Sequence, residues 1–206
     1  MSTGCPAWVT EDADQIRLIV SGLLEVQVRI AKQADKRILS HGDIREWHRT
    51  VFARVVPKSY YAGNYRGDDP LRPCLREDVA IAGLPGAPFD RVLDEMRAFS
   101  HDMHDRIVQT DGYVAEMPTP ADRARSVVML AAYLAGKFIR IHPFLNGNGR
   151  MSRMIVNYVC RRYGYRPLYP VPHNRPGADY EPASAACMRG DFSPMYRYLL
   201  EVLASR

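Results

Sequence analysis

Hydrophobic positions recur along this chain mostly at spacings of three and four, the pattern of amphipathic helices rather than strands. Over residues 12 to 37, Ile16, Ile19, Val20, Leu23, Leu24, Val28 and Ile30 trace such a stripe and predict an opening helix. A second is predicted from about Asp43 to Val55, where Ile44, Trp47, Val51 and Phe52 share a face and Pro57 forbids continuation. The texture then breaks. From Pro57 to Pro88 prolines and glycines crowd the chain and only short apolar pieces such as Val79-Ala80-Ile81 remain, which predicts loop with one short hairpin. Helix resumes over about Phe89 to Ile107.

Two further helices bracket the segment that carries the chemistry. Thr119-Pro120-Ala121-Asp122 combines a hydroxyl N-cap, proline at the first helical position and an early acid, so a helix opens there. It runs to about Ile139 with Val127, Leu130, Ala131, Leu134 and Phe138 on one face. The next begins near Asn148, buries Met151, Met154, Ile155, Tyr158 and Val159, and stops at Gly164, a left-handed cap. Shorter helices are expected over Tyr180 to Met188 and Pro194 to Ala204. No internal repeat and no low-complexity tract interrupts this order, so the expectation is one compact, mainly α domain.

Composition narrows the function classes. With 206 residues, 47% of them hydrophobic and 25% charged, the chain can build one substantial core, which excludes a disordered tail, a collagen-like rod or a disulfide mini-protein. The longest apolar run, Val127 to Gly136, is far short of the roughly 20 residues a membrane-spanning helix needs. The N-terminus lacks a basic stretch followed by an apolar one, so no secretory signal is read and a cytoplasmic location is expected, with delivery into another cell left open. Cys5, Cys74, Cys160 and Cys187 are scattered without a CxxC pair, so free thiols are expected rather than bridges or a zinc site. A net charge of +5, spread along the chain without a Lys/Arg run, suits contact with anions and gives no nucleic-acid footprint.

The candidate chemistry lies in Ile141-His142-Pro143-Phe144-Leu145-Asn146-Gly147-Asn148-Gly149-Arg150-Met151-Ser152-Arg153. Gly147, Asn148 and Gly149 fall at a helix N-terminus, where unpaired N–H groups and the positive dipole end face outward and glycines let a ligand come close. Such a turn cradles phosphate. Arg150 and Arg153, three apart, project from the first turn of the same helix toward further phosphate oxygens, and Asn157 and Arg161 are expected to continue that polar face. His142, before the cradle, titrates near neutrality and suits general-base activation of a hydroxyl, with Phe144 as the apolar peg of the loop. His101-Asp102-Met103-His104-Asp105 is read as a solvated helix face, and no role is assigned to His41, His48 or His173. Tyr60, Tyr61 and Tyr65 could pack the loop, line a groove or accept modification.

These residues carry a resemblance. His142-Pro-Phe-Leu-Asn-Gly-Asn-Gly-Arg-Met-Ser-Arg153 is similar to the signature of the Fic family, HxFx(D/E)GNGRxxR, at every defined position but one. Seven fixed residue types in register by chance have odds on the order of one in a billion per position. Ile44-Arg-Glu-Trp-His-Arg-Thr-Val-Phe52 with Tyr61-Ala-Gly-Asn-Tyr-Arg66 resembles the family's first core helix and its AG-x-x-R segment, and residues 180 to 203 resemble its closing helices. The resemblance implies a mainly α Fic fold with a short β-hairpin flap, residues 1–38 forming an N-terminal helix and 39–206 the core. It implies transfer of AMP from ATP, with Mg²⁺, to a Ser, Thr or Tyr hydroxyl of a target protein docked on the flap, which is expected within about Arg66 to Leu84. In that scheme His142 is the base, Gly147, Asn148 and Gly149 cradle the phosphates, and Arg150 and Arg153 hold the outer ones. Asn146 stands where the family places a metal-binding carboxylate, so weakened metal binding is expected.

Many Fic proteins silence themselves with a helix bearing (S/T)xxxE(G/N), whose glutamate pairs with the second arginine of the signature. Ser21-Gly-Leu-Leu-Glu25-Val26 fits five of the six positions, Val26 being the exception, and makes Glu25 to Arg153 the pair to test. Ser21 and Glu25 as ordinary solvated residues are the alternative. Two readings compete with protein adenylylation: the same fold using another nucleotide or a phosphocholine donor, and a degenerate nucleotide-binding regulatory module marked by Asn146.

Overall fold

The computed structural model describes residues 4–9, 12–81, 83–171 and 178–205; His173 lies outside them. Three of its helices start where the sequence supplies side-chain acceptors for their open amides. In α1 (Ala13–Gln33) the Asp12 carboxylate caps the amides of Asp14 and Gln15. α2 (His41–Phe52) begins earlier than the apolar pattern predicts because Ser40 and Asp43 form a reciprocal capping box. α3 (Val92–Tyr113) continues past the expected end at Ile107, since Ile107 and Thr110 are both buried on its inner face. α4 (Pro120–Ile141) opens as predicted, Thr119 capping the Asp122 amide and Pro120 at the first position. α5 (Asn148–Arg162) ends against Gly164 at φ 80°, the expected left-handed stop. α6 (Tyr180–Met188) and α7 (Ser193–Ala204) close the chain.

The Pro/Gly-rich stretch holds two single 3₁₀ turns and one antiparallel hairpin, β1 (Ala80–Ile81) and β2 (Leu84–Pro85), with Ala80 opposite Pro85 and Ile81 opposite Leu84. Each strand is only two residues long, too short to leave a periodic signal.

α4 is the central helix, packed against α3, α5, α6 and α7, and α1 lies across α2 and α5. Ala131, Ala132, Ala135 and Gly136 are buried together on α4, small enough to let its neighbours close in. A Cβ at Gly136 would fall 2.6 Å from a Phe192 ring carbon and 2.7 Å from the Cys187 sulfur. No helix among the described residues is long and apolar enough to cross a membrane.

One expectation from the cysteines is overturned. Cys5 and Cys74 form a disulfide, their Cα atoms 5.5 Å apart, whereas Cys160 and Cys187 are free and buried. The pair is 69 residues apart without any spacing signature. Packing brings the two together: Trp8 lies edge-on to Phe52 at 5.4 Å and against Tyr61 at 6.0 Å, and Cys74, Leu75 and Tyr61 form a small apolar cluster beside it.

Candidate active site

The signature loop joins the end of α4 to the start of α5, and each end has an unusual backbone. His142 is the C-cap of α4 in the left-handed region, φ 52° and ψ 59°, and no other non-glycine among the described residues has a positive φ. A β-carbon in that conformation costs on the order of 1–2 kcal/mol, so surrounding contacts must hold it. Gly147, at φ 84°, starts α5; a Cβ there would sit 2.4 Å from the Phe52 ring, so only glycine fits.

The loop between is pinned from inside. Phe144 is completely buried and stacks on His48 with ring centres 3.7 Å apart and an 11° tilt, so it is the apolar peg expected. His48, to which sequence reasoning assigned no role, is a strut. Its Nδ1 accepts the Gly63 amide at 2.9 Å, which leaves Nε2–H to donate to the Asn146 carbonyl at 3.0 Å. Burial pushes His48 down to about 3, so it stays neutral. Its only sequence signal is its place on the apolar face of α2, four positions from both Ile44 and Phe52.

Asn148 does not use its side chain on a ligand. Its Oδ1 accepts the Phe144 amide at 3.0 Å and its Nδ2 donates to the Phe144 carbonyl at 2.8 Å, closing the loop as a strand partner would. Asn146 is likewise engaged: Nδ2 donates to the Trp8 carbonyl at 3.0 Å and Oδ1 accepts the Gly147 amide at 2.6 Å. Of the three expected cradle amides, Gly147's is therefore taken. Those of Asn148 and Gly149 meet no acceptor among the described residues, and the space above Gly149 is open until Arg153 at 3.7 Å.

Arg150 is half-buried with its guanidinium 5.9 Å from the Phe52 ring centre, and no carboxylate among the described residues pairs with it. Burial and the positive charge of Arg153 hold its pKa below the ordinary value. Arg153 lies 5.8 Å from the Tyr180 ring centre and 6.0 Å from that of Tyr169. Two like charges beside open amides make a site for an anion that neutralises both. Asn157 does not continue this face: it is fully buried, bonded to Gln27 and to both backbone groups of Tyr169, while Arg161 is exposed.

His142 differs from the struts around it. Its Nδ1 is buried and makes no hydrogen bond. Burial pushes the imidazole down to about 4, the charge of Arg66 adding to that and a backbone contact at Ile139 opposing it. At neutral pH the ring is uncharged and able to take a proton.

The residues present do not fit a protein-held metal. No group of three or more His, Cys, Asp or Glu able to hold an ion exists among the described residues. Asn146, the position expected to bind one, offers a neutral oxygen already accepting an amide. Nor is Glu25 joined to the arginines: its carboxylate is exposed and pairs with Arg29 at 2.5 Å. Val26 is buried in the packed face of α1 with Gly22, Leu23 and Ile30, and Ser21 is exposed.

Comparison with known proteins agrees with the geometry. The sequence model described as "Fic/DOC family" matches residues 38–160. Two curated relatives, both named "Protein adenylyltransferase Fic", are those of Drosophila persimilis, 29% identical over 77% of this chain, and Drosophila mojavensis, 28% identical over 83%. This chain spans only 26% and 29% of their lengths. Among solved structures, a Fic-domain signaling protein from Bacteroides thetaiotaomicron superposes with a TM-score of 0.63, at 24% identity over 97% of this chain and 73% of that one. BepC from Bartonella tribocorum, with bound AMPPNP, gives 0.65 at 14% identity over 93% and 88%, and Fic-1 from C. elegans 0.65 at 22% over 99% and 53%. With the profile spanning more than half of the sequence and the same helical frame recurring in those structures, this chain belongs to the Fic/DOC family.

Proposed function

We propose that this chain is a protein adenylyltransferase, moving AMP from ATP to a Ser, Thr or Tyr hydroxyl of a target protein. The observation that carries the reading is the pairing of a neutral, half-buried His142 with two open amides and two arginines across one short loop. In this scheme the acceptor hydroxyl oxygen attacks the α-phosphorus, the bond from that phosphorus to the bridging oxygen breaks, and pyrophosphate leaves. His142 takes the hydroxyl proton, the amides of Asn148 and Gly149 hold phosphate oxygens, and Arg150 and Arg153 hold the leaving pyrophosphate. The adenylyltransferase names of the relatives and the AMPPNP bound by BepC support the donor. Mg²⁺ belongs to this reading only as the counter-ion of the triphosphate.

The target is proposed to dock on the β1–β2 flap, and nucleic acid is not a proposed partner. The N-terminal helix is proposed as a brake on the same site, since α1 lies against α5 through Gln27 and Asn157; it acts only if Glu25 exchanges Arg29 for Arg153. Glu25→Gly then raises self-modification in ATP, and an unchanged rate removes the brake. A cytoplasmic site of action leaves Cys5 and Cys74 reduced, whereas export keeps them bridged, so thiol alkylation of the protein taken from cells decides the location.

The test is incubation of the purified chain with α-labelled ATP and a lysate. Label on protein that disappears in His142→Ala supports the reading. Transfer only from another labelled nucleotide or a phosphocholine carrier replaces the donor. Nucleotide binding without turnover in the parent, with turnover gained only in Asn146→Asp, identifies a decayed site.

A further inference from the structure

Among the described residues Arg66 is the largest fully buried side chain, at 0% exposure. A buried guanidinium ordinarily sits against a carboxylate. This one does not. The nearest, Asp78, is 3.8 Å away and 68% exposed. Four hydrogen bonds run instead from the guanidinium to main-chain carbonyls: Nε to His142 at 2.9 Å, Nη1 to Glu77 at 3.0 Å, and Nη2 to Ala87 at 2.7 Å and Ile141 at 3.2 Å.

Those carbonyls come from two places. Ile141 and His142 form the end of α4 and the left-handed cap that carries the candidate base. Glu77 and Ala87 are the two roots of the hairpin, one before β1 and one after β2. The Arg66 amide adds a bond to the Pro143 carbonyl at 2.9 Å, and the Ala87 amide one to the Ile141 carbonyl at 3.1 Å. Gly86 completes the seam, because a Cβ there would press on His142 Cβ at 3.1 Å and on Arg66 Nη2 at 3.4 Å. One planar fork thus fixes both the flap and the backbone of His142.

We propose that Arg66 is a positioning residue for acceptor transfer: it sets the register of the flap against His142, so that a hydroxyl presented by a docked segment arrives within reach of the imidazole. The proposal rests on the adenylyl-transfer reading for its consequence, and on the hydrogen bonds alone for the flap register. Lysine cannot substitute. Its compact ammonium has three donors and no fork, so it cannot meet four carbonyls lying in different directions.

The experiment compares Arg66→Lys with Asp111→Asn, a control that breaks the Arg162–Asp111 pair at the far end of α5. Below the melting temperature of each, three quantities are read: affinity for a non-hydrolysable ATP analogue, AMP transfer to protein against AMP released to water, and hydrogen exchange of the Gly86 and Ala87 amides. For Arg66→Lys we expect analogue affinity within about twofold of the parent, protein transfer down on the order of 100-fold with release to water spared, and flap exchange at least about tenfold faster. Asp111→Asn should leave the transfer-to-release ratio and flap exchange unchanged. Equal loss of binding, transfer and release, or flap exchange no faster than in the control, overturns the proposal and leaves Arg66 a core residue. Should Arg66→Lys not fold, Gly86→Ala is the substitute, with the same selective loss expected in smaller measure and an unchanged ratio and exchange counting against the proposal. Absence of AMP transfer in the parent chain defeats the adenylyl-transfer reading, while the register claim still stands or falls on the exchange rates.

Discussion

Two histidines lie at the signature loop, and their difference shows which region is frame and which is chemistry. His48, on α2, and His142, at the end of α4, both have their pKa pushed far down by burial, to about 3 and about 4. The lowered pKa does not separate them, though His48 is fully buried and His142 only half-buried. Hydrogen bonding does. Both ring nitrogens of His48 are engaged, one by the Gly63 amide and one by the Asn146 carbonyl, and its face is stacked on Phe144. His142 leaves Nδ1 without a partner and holds a backbone conformation that favours glycine. His48 is a satisfied group that supports the fold; in His142 an unpartnered Nδ1 coincides with a left-handed backbone at the signature loop, and it is that combination that sets it apart.

The comparison is broken most sharply by exchanging the losses. His142→Ala should reduce AMP transfer to protein by about 10²–10⁴-fold, the usual worth of a general base, and shift the melting temperature little. His48→Ala should do the reverse at first. It opens a cavity beside Phe144 and orphans the Gly63 amide and the Asn146 carbonyl, at a cost of about 3–5 kcal/mol, or roughly 6–15 °C in melting temperature for a chain of this size. Thermal melts beside labelled-ATP assays of both variants give the answer; a cold, folded His48→Ala with as little transfer as His142→Ala would make the strut part of the chemistry.

How much of this was legible in the sequence follows the same division. The signature loop could be read because its glycines, its histidine and its arginines are local. Thr119-Pro120-Asp122 gave the start of α4, Gly164 the end of α5, and Tyr180–Met188 the limits of α6. The supporting frame could not be read, because its partners are far apart in the chain. His48 meets Asn146 across 98 residues, Arg66 meets His142 across 76, and Cys5 meets Cys74 across 69. Asn157 looked polar on its helix, yet the tertiary contact with Tyr169 buries it. Residue type and spacing announce chemistry; contact order hides what holds it.

The strap that ends in Cys5 sharpens the contrast from the His48 side. Trp8 lies edge-on to His48 at 5.8 Å, and its carbonyl accepts the Asn146 side chain, so the bridge tethers the strut end of the loop and not the His142 end. A disulfide typically contributes about 2–4 kcal/mol to stability. Reduction, or Cys5→Ser, should therefore lower the melting temperature by roughly 4–12 °C while leaving the acid limb of the activity profile in place. A shift of that limb on reduction would show that the strap reaches His142 as well.

The most gradual effect is also the one that reports both histidines together. Each has a folded pKa below the unfolded value of 6.5, so the unfolded chain binds more protons in the interval between. Stability is then complete above pH 6.5 and declines as the pH falls toward 4, with a slope of up to about 1.4 kcal/mol per pH unit for each group. His41, also held low by burial, adds to the same window. The activity profile obeys a different rule, because only His142 has to be unprotonated for transfer: its acid limb should lie well below pH 6.5, near the folded value of about 4. Urea unfolding from pH 7 to pH 4.5 for the parent, His142→Gln and His48→Gln separates the two contributions, each variant removing its own share of the slope. If His142→Gln leaves the slope untouched, the imidazole is more hydrated than its burial indicates, and the feature that distinguishes it from His48 disappears.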